Sequence, residues 1–228
     1  TILVTSVSLG EGKTTIATNL AIVMAQGGKN VLLIDADLRK PNVHNLLGLA
    51  NDQGLSDLFR SNLTVNDVIK DWKNQFMVIT GGALPPNPGD LVGSKRWDAI
   101  LQELQDLADI VIIDGPPFLV AEAALLAAKA DGVLLVIRYG ITRKHPTIAV
   151  MEQIHLAGAK VVGVALNRLP QKAEGYYGGY LYYQDYPPAE RTAGKKNHWQ
   201  RNPNGQTSFQ DLFSRIANRK GSSGHSDH

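Results

Sequence analysis

The sequence predicts an α/β fold: a doubly wound, mostly parallel sheet with helices on both faces. Short, continuous apolar runs alternate with segments of helical periodicity from residue 2 to residue 166. The runs at 31–35 and 110–114 are apolar up to a terminal aspartate, as is typical of strands buried on both faces. A glycine-rich turn joins the first run to the first helical segment. Alternation of strands and helices implies right-handed crossovers, and ligands of such sheets bind at the carboxyl ends of the strands.

The elements follow from periodicity and from the residues that break it. The predicted strands cover 2–7, 31–35, 76–80, 110–114, 133–137 and 161–166. The predicted helices cover 13–26, 95–107, 121–130 and 147–156, with short helical pieces near 43–47, 55–59 and 65–69. A rigid turn is expected at 85–89, Pro-Pro-Asn-Pro-Gly. Periodicity ends after Leu169, so we divide the chain into a domain at 1–170, a tyrosine-rich tail at 171–187 and a flexible extension at 188–228.

Composition excludes several classes of protein. With 228 residues, 43% of them apolar and 19% charged, the chain is a typical globule with one sizeable core. The absence of cysteine excludes disulfides, thiolate metal sites and iron–sulfur clusters, which is compatible with the cytosol. No apolar run approaches the ~18 residues of a membrane helix, and the chain opens on a strand without Met, as a piece of a longer protein would. The net charge of +2 argues neither for nor against an acidic partner, and we expect no nucleic acid.

The strongest motif is a six-residue loop between the first predicted strand and helix, Gly10-Glu11-Gly12-Lys13-Thr14-Thr15. Its glycines let backbone N–H groups turn inward around an anion, and the helix adds the positive end of its dipole. Lys13 would contact the outer phosphates of a nucleotide, and the Thr14 hydroxyl would ligate Mg²⁺. A glycine-rich turn alone is often only a tight turn, but Gly-Lys-Thr at this junction predicts a phosphate-binding loop. The usual pattern begins with Gly where this chain has Val7.

Three aspartates at predicted strand ends complete the expected site. Asp114 ends its strand as a Walker B aspartate does, where it would hold Mg²⁺, although a buried Asp could instead cap the next turn. Asp35 and Asp37 are two residues apart, so in an extended segment they point to the same side. Such a pair suits metal binding and base catalysis, and the alternative is a helix or turn cap. We therefore assign Thr14, Asp35 and Asp114 to the metal and Lys13, Asp35, Asp37 and Asp114 to catalysis.

Most of the tyrosines lie in one short segment. Six of the seven are Tyr176, Tyr177, Tyr180, Tyr182, Tyr183 and Tyr186. Because Gly, Asp and Pro flank them, they are either an adhesive binding motif or phosphate acceptors on a flexible leash. Residues 171–186 could extend over about 50 Å and reach the chain's own nucleotide site or a neighbour's. The pKa of a phenol is about 10, so phosphoryl transfer to tyrosine needs a base, and Asp37 or Asp35 would be that base.

Together these motifs resemble the bacterial tyrosine kinases (BY-kinases) of capsule and exopolysaccharide synthesis, which are deviant-Walker P-loop NTPases. The resemblance covers roughly 1–186, and its segments are 5–14 (Walker A), 33–41 (the A′ motif), 85–88, 111–117 (Walker B) and the tyrosine cluster. Related partition ATPases carry a signature Lys where this chain has Ser8, which favours the kinase branch. The resemblance implies that residues 10–15 bind the nucleotide and that Asn167 contacts its adenine ring.

The resemblance also implies an activity and partners. It implies Mg²⁺- and ATP-dependent autophosphorylation of the cluster, between subunits of a homo-oligomeric ring, that regulates polysaccharide polymerisation and export. The implied partners are a transmembrane activator with a polysaccharide co-polymerase domain, fused upstream or separate, and a tyrosine phosphatase. The location would be cytoplasmic, at the inner face of a bacterial plasma membrane. The family's N-terminal helix with its oligomer-forming Arg motif is not in this chain, and 188–228 is longer than expected. A partition-type ATPase acting as a nucleotide-switched dimer and a catalytically silent assembly module stay open as alternatives.

Overall fold

A computed structural model describes residues 1–60 and 62–170 and contains seven strands and eight helices in that part of the chain. The strands are β1 (Ile2–Ser6), β2 (Val31–Asp35), β3 (Ile69–Trp72), β4 (Phe76–Ile79), β5 (Ile110–Asp114), β6 (Gly132–Arg138) and β7 (Val161–Asn167). The helices are α1 (Lys13–Gln26), α2 (Val43–Leu47), α3 (Asp57–Arg60), α4 (Val65–Val68), α5 (Pro88–Val92), α6 (Lys95–Leu107), α7 (Ala121–Ala127) and α8 (Lys144–Leu156). The predicted tail, extension and six clustered tyrosines lie outside the described residues.

The strands form one sheet in the order β3-β4-β2-β5-β1-β6-β7. All neighbouring strands are parallel except β3 and β4, which are antiparallel. This confirms the predicted doubly wound, mostly parallel sheet. Because β5 lies between β2 and β1, the loop that follows β1 and the aspartates that end β2 and β5 share one edge of the sheet.

The core lies around the central strands. Every residue of β2 is buried, and so is every residue of β5 after its first, which is why their sequences are continuously apolar. On α6 the residues at helical spacing, Trp97, Ile100, Leu101 and Leu104, are the buried ones. Ser94 fixes the start of that helix, since its hydroxyl accepts a hydrogen bond from the Trp97 N–H at 3.2 Å. Burial of these strands and helices fixes the sheet edge on which the site is built.

Several details of the predicted secondary structure were wrong, and short helix α3, for example, covers Asp57–Arg60 rather than 55–59. The helical piece expected at 65–69 ends at Val68, and the next four residues form the unpredicted strand β3, which depends on its pairing with β4. Pro88 begins the short helix α5 rather than a turn, because proline is well suited to the first helical position. Helix α7 ends at Ala127 rather than 130. Helix α8 begins at Lys144 rather than 147. Pro146 is tolerated in its first turn, because the backbone N–H groups of a first turn make no hydrogen bond within the helix and proline lacks an N–H.

Among the described residues, no helix combines the length and the apolar character needed to span a membrane.

Candidate active site

The phosphate-binding loop has the backbone geometry of an anion site. Gly10 and Gly12 adopt φ values of +75° and +96°, in the left-handed region that favours glycine. A Cβ on Gly12 would lie 2.1 Å from Nδ2 of Asn167, so a larger residue there would displace that side chain. Helix α1 begins at Lys13, and its first turn carries no acidic residue. The unpaired N–H groups and the dipole of that turn therefore favour a bound anion.

The two strand-end aspartates face each other without adequate partners. Asp35 and Asp114 are register partners in the β2–β5 pairing, and both are fully buried. Among the described residues, neither carboxylate oxygen of Asp114 has a hydrogen bond of normal geometry, nor has Oδ1 of Asp35. The other oxygen of Asp35 accepts from the N–H groups of Asn42 and Val43, at 2.8 and 2.9 Å. Asp35 thus caps the start of α2 with one oxygen and leaves the second for another partner.

Burial makes both charges costly. It raises the pKa of Asp114 to about 7, and the ammonium of Lys13 and the hydroxyl of Thr14 oppose that rise only in part. Burial also raises the pKa of Asp35 well above its ordinary value, and the neighbouring Asp114 raises it further. A cation beside these oxygens would supply the compensation that the described residues do not.

These residues fit Mg²⁺ that arrives with a nucleotide. The free oxygens of Asp35 and Asp114 and the hydroxyl of Thr14 are hard ligands of the kind Mg²⁺ prefers. No group of three His, Cys, Asp or Glu side chains suited to a metal occurs within 1–60 and 62–170. Mg²⁺ commonly takes one or two carboxylates and completes its shell with water and phosphate oxygens. The donor set therefore suits a metal–nucleotide complex rather than a metal held by protein alone.

Asp37 forms an ion pair with the loop lysine, Lys13. Nζ of Lys13 is 3.4 Å from Oδ2 of Asp37, and both side chains are only 8% exposed. Oδ1 of Asp37 accepts from the N–H of Lys40 at 3.2 Å. The turn cap that was the alternative interpretation of Asp37 is therefore present, and the structure also brings Asp37 to the phosphate-binding loop. Lys13, Asp35, Asp37 and Asp114 lie at one sheet edge, as the sequence predicted.

Glu11 and Asn167, expected to contact the nucleotide, make bonds within the protein. Glu11 is 1% exposed, and its Oε2 accepts from the N–H of Ser8 at 3.0 Å. Its Oε1 accepts from the hydroxyl of Thr142. Nδ2 of Asn167 donates to the carbonyl oxygen of Glu11 at 2.8 Å, and its Oδ1 accepts from the N–H of Arg168 at 2.8 Å. Asn167 is thus placed against the phosphate-binding loop, and Thr142 is a contact that sequence reasoning missed.

A second missed contact lies beside the A′ segment. Nε and one terminal nitrogen of Arg39 donate to Oε1 of Glu122, at 3.0 and 2.6 Å. Glu122 is buried, whereas the Arg39 side chain is 54% exposed. The pair borders a cleft of about 360 Å³, whose lining includes Pro86 and Pro88. Nothing in the sequence separates Glu122 from an ordinary acid in the first turn of a helix.

Fold and site together define a P-loop nucleotide-binding protein of the α/β class. The sequence matches the AAA domain family over residues 1–157. It is 41% identical over 182 residues to the tyrosine-protein kinase YwqD of Bacillus subtilis, covering 78% of this chain and 77% of YwqD. It is 34% identical over 182 residues to the tyrosine-protein kinase CpsD of Streptococcus agalactiae, covering 78% of this chain and 80% of CpsD.

A solved structure agrees. The kinase domain of the Escherichia coli tyrosine kinase Etk superimposes with a TM-score of 0.72 at 32% identity, covering 85% of this chain and 71% of that domain. The chain belongs to the bacterial tyrosine-protein kinases, which confirms the resemblance seen in its motifs. It spans 24% of full-length Etk, to which it is 37% identical over 178 residues.

Proposed function

We propose that this chain transfers the γ-phosphoryl group of ATP to the tyrosines of its own C-terminal cluster, between copies of the chain. The observation that carries this proposal is the juxtaposition of Lys13, Asp37 and Asp114 at the edge of the phosphate-binding loop, where the Asp114 carboxylate has no hydrogen bond of normal geometry among the described residues. Membership of the kinase family supports the reaction class. The acceptor assignment rests on the sequence of 176–186, which holds six tyrosines.

The Lys13–Asp37 pair gives the reaction its starting arrangement. A phosphate that binds Lys13 competes with Asp37 for the same ammonium, because the two side chains are in contact at 3.4 Å. The displaced carboxylate of Asp37 is then free to accept a proton. The phenol oxygen of the acceptor attacks the γ-phosphorus, its proton passes to Asp37, and the bond from phosphorus to the oxygen of ADP breaks. Asp35 suits the base role less well, since one of its oxygens caps α2.

The remaining residues bind and orient the substrate. The N–H groups of the loop and of the first turn of α1 bind the phosphates. Thr14, Asp35 and Asp114 would hold Mg²⁺, which when bound offsets the charge of the phosphates. Because burial raises the pKa of both Asp35 and Asp114, both carboxylates gain from a nearby cation.

The proposal includes partners and a place of action. The chain matches only 24% of full-length Etk, so kinase domains of this family occur within longer chains. This supports an activator with a polysaccharide co-polymerase domain, fused upstream or separate, at the inner face of the plasma membrane. Assembly as a ring, reversal by a tyrosine phosphatase and control of capsule or exopolysaccharide export complete the proposed function.

The test is incubation with Mg²⁺ and ATP, with and without the activator, followed by phosphotyrosine detection and mass mapping. We expect label on residues 176–186, loss of label in Lys13→Ala, and unchanged labelling in Lys29→Ala, whose lysine is exposed on the surface. Absence of label even with the activator, or equal labelling of Lys13→Ala, would overturn the proposal. ATP hydrolysis without tyrosine labelling would favour the partition-type ATPase, against which Ser8 argues.

A mixing experiment tests transfer between copies. Lys13→Ala, which keeps its tyrosines, is combined with a second variant that keeps Lys13 but has all six clustered tyrosines replaced by Phe. Transfer between copies labels the Lys13→Ala chain. Transfer only within one copy leaves both chains unlabelled.

A further inference from the structure

The phosphate-binding loop contains a buried acid, Glu11, whose carboxylate is hydrogen-bonded within the protein. Both carboxylate oxygens of Glu11 are occupied, one by the N–H of Ser8 at 3.0 Å and the other by the hydroxyl of Thr142. Thr142 lies 131 positions further along the chain, in the turn between β6 and α8. The acid therefore joins the start of the loop to a distant segment.

Electrostatic attraction to the phosphates does not explain the presence of Glu11 in this loop. A carboxylate inside a loop that binds an anion opposes the ligand electrostatically, so its contribution to binding must come through geometry. Its bond to Ser8 fixes the backbone just before Gly10 and Gly12, the two loop glycines with positive φ. Such a loop depends on outside contacts to hold the single conformation in which its N–H groups converge.

Thr142 is suited to hold the acid in place. Its hydroxyl accepts a hydrogen bond from the N–H of Arg138 at 2.8 Å and donates one to Glu11, so a single oxygen both accepts and donates. Asn167 adds a parallel connection from β7 to the carbonyl oxygen of Glu11 at 2.8 Å. The loop is thereby attached to the ends of two neighbouring strands, β6 and β7.

We propose that Thr142 is a positioning residue: acting through Glu11, it holds the phosphate-binding loop in the conformation that binds nucleotide. The inference rests on the proposed function only in taking Mg·ATP as the ligand of the loop. Without the hydroxyl, Oε1 of Glu11 loses its partner and the loop samples other conformations. The apparent affinity for nucleotide then falls in proportion to the fraction of molecules whose loop is in the binding conformation.

The experiment measures the dissociation constant of Mg·ADP by calorimetry on the full 228-residue chain. We expect Thr142→Val to weaken binding by roughly tenfold and Thr142→Ser, which keeps the hydroxyl, to remain within about threefold of the original. Thr147→Val is the matched control, because Thr147 is also half-buried and its hydroxyl donates only to the nearby carbonyl of Arg143. Original affinity in Thr142→Val, or equal weakening in Thr142→Ser, would overturn the inference.

A double variant separates positioning from a general loss of stability. If Thr142 acts through Glu11, the combination of Thr142→Val with Glu11→Gln binds no more than about twofold more weakly than the weaker single variant. If the losses of affinity in the two single variants multiplied in the double variant, Thr142 would act independently of Glu11. If Thr142→Val lowered the unfolding temperature but kept the original Mg·ADP affinity at temperatures well below unfolding, Thr142 would have only a structural role. Chains that bind Mg·ADP but label no tyrosine would overturn the proposed kinase function and leave this inference standing.

Discussion

Two regions of this molecule bury acids in opposite ways. At the ends of β2 and β5, Asp35 and Asp114 lie side by side with three of their four oxygens lacking a hydrogen-bond partner among the described residues. At the phosphate-binding loop and the start of α7, Glu11 and Glu122 are buried as well, yet each is bonded to a side chain from a distant part of the chain. The carboxylates of both regions have lost their contact with water, and the regions differ in whether hydrogen bonds from the protein replace it.

The difference separates acids that bind a ligand from acids that position other groups of the protein. A buried carboxylate without a partner destabilises the ligand-free protein, so a cation that compensates it binds more strongly. A buried carboxylate with partners fixes the position of the groups it touches. On this reasoning the strand-end acids contribute binding and catalysis, whereas the loop and α7 acids contribute geometry.

The largest expected effect comes from removing the charge of Asp114. Asp114→Asn keeps the shape of the side chain but not its charge, so phosphoryl transfer should fall by about 10²–10³-fold. The ligand-free protein should become more stable by roughly 2 kcal/mol at pH 8, because a buried charge that Lys13 and Thr14 compensate only in part disappears. Phosphotyrosine labelling and urea unfolding measure the two effects.

The control for that variant is Asp106→Asn, which neutralises an exposed acid on α6. It should leave phosphotyrosine labelling unchanged and alter the free energy of unfolding by no more than about 0.5 kcal/mol. Loss of both activity and stability in Asp114→Asn would show that Asp114 is a structural acid after all, and the contrast between the two regions would fail.

The sequence was sufficient for the centre of the fold. The runs that became β2 and β5 were bounded to the residue by their aspartates, and α1 and α6 were predicted with the same bounds that the structure gives them. Strand β3 could not be predicted, because its four residues pair only with β4 at the edge of the sheet. Its structure depends on a partner rather than on its own periodicity.

The same division applies to the site. Lys13, Asp35, Asp37 and Asp114 were predictable together, because the carboxyl ends of parallel strands meet at one edge. Thr142 and Glu122 were not, since their contacts join residues 131 and 83 positions apart through side chains that look ordinary in the sequence. Local motifs identify chemical groups, but the groups that position them are identified only by packing.

The pH dependence of metal binding gives the second prediction. The pKa of Asp114 lies near 7, so the carboxyl is largely protonated at pH 6 and charged at pH 8. The enhancement of ADP affinity by Mg²⁺ should therefore fall by up to about tenfold from pH 8 to pH 6. Calorimetry with and without Mg²⁺ measures it, and Asp114→Asn corrects for ionisation of the nucleotide itself. An equally steep pH dependence in Asp114→Asn would contradict the role of this carboxyl.

Stability of the ligand-free protein should change in the opposite direction. The folded pKa of Asp114 is raised from 3.8 to about 7, so the folded state binds more protons than the unfolded state between these values. The contribution of this group to stability is present below pH 4 and is lost as the pH rises through 7. Urea unfolding at pH 5.5 and pH 8 should show this loss in the original chain, and a smaller one in Asp114→Asn.

The smallest effect is expected at the paired acid Glu122, where it tests the other half of the contrast. Glu122→Ala removes both hydrogen bonds to Arg39 and should destabilise the protein by about 1–2 kcal/mol, since the half-exposed guanidinium can recover water. Glu122→Gln keeps an acceptor and should cost about half as much. Urea unfolding gives both values, and Mg·ADP affinity should stay within about threefold. If Glu122→Ala stabilised the protein as Asp114→Asn is expected to, hydrogen-bond partners would not be what distinguishes the two regions.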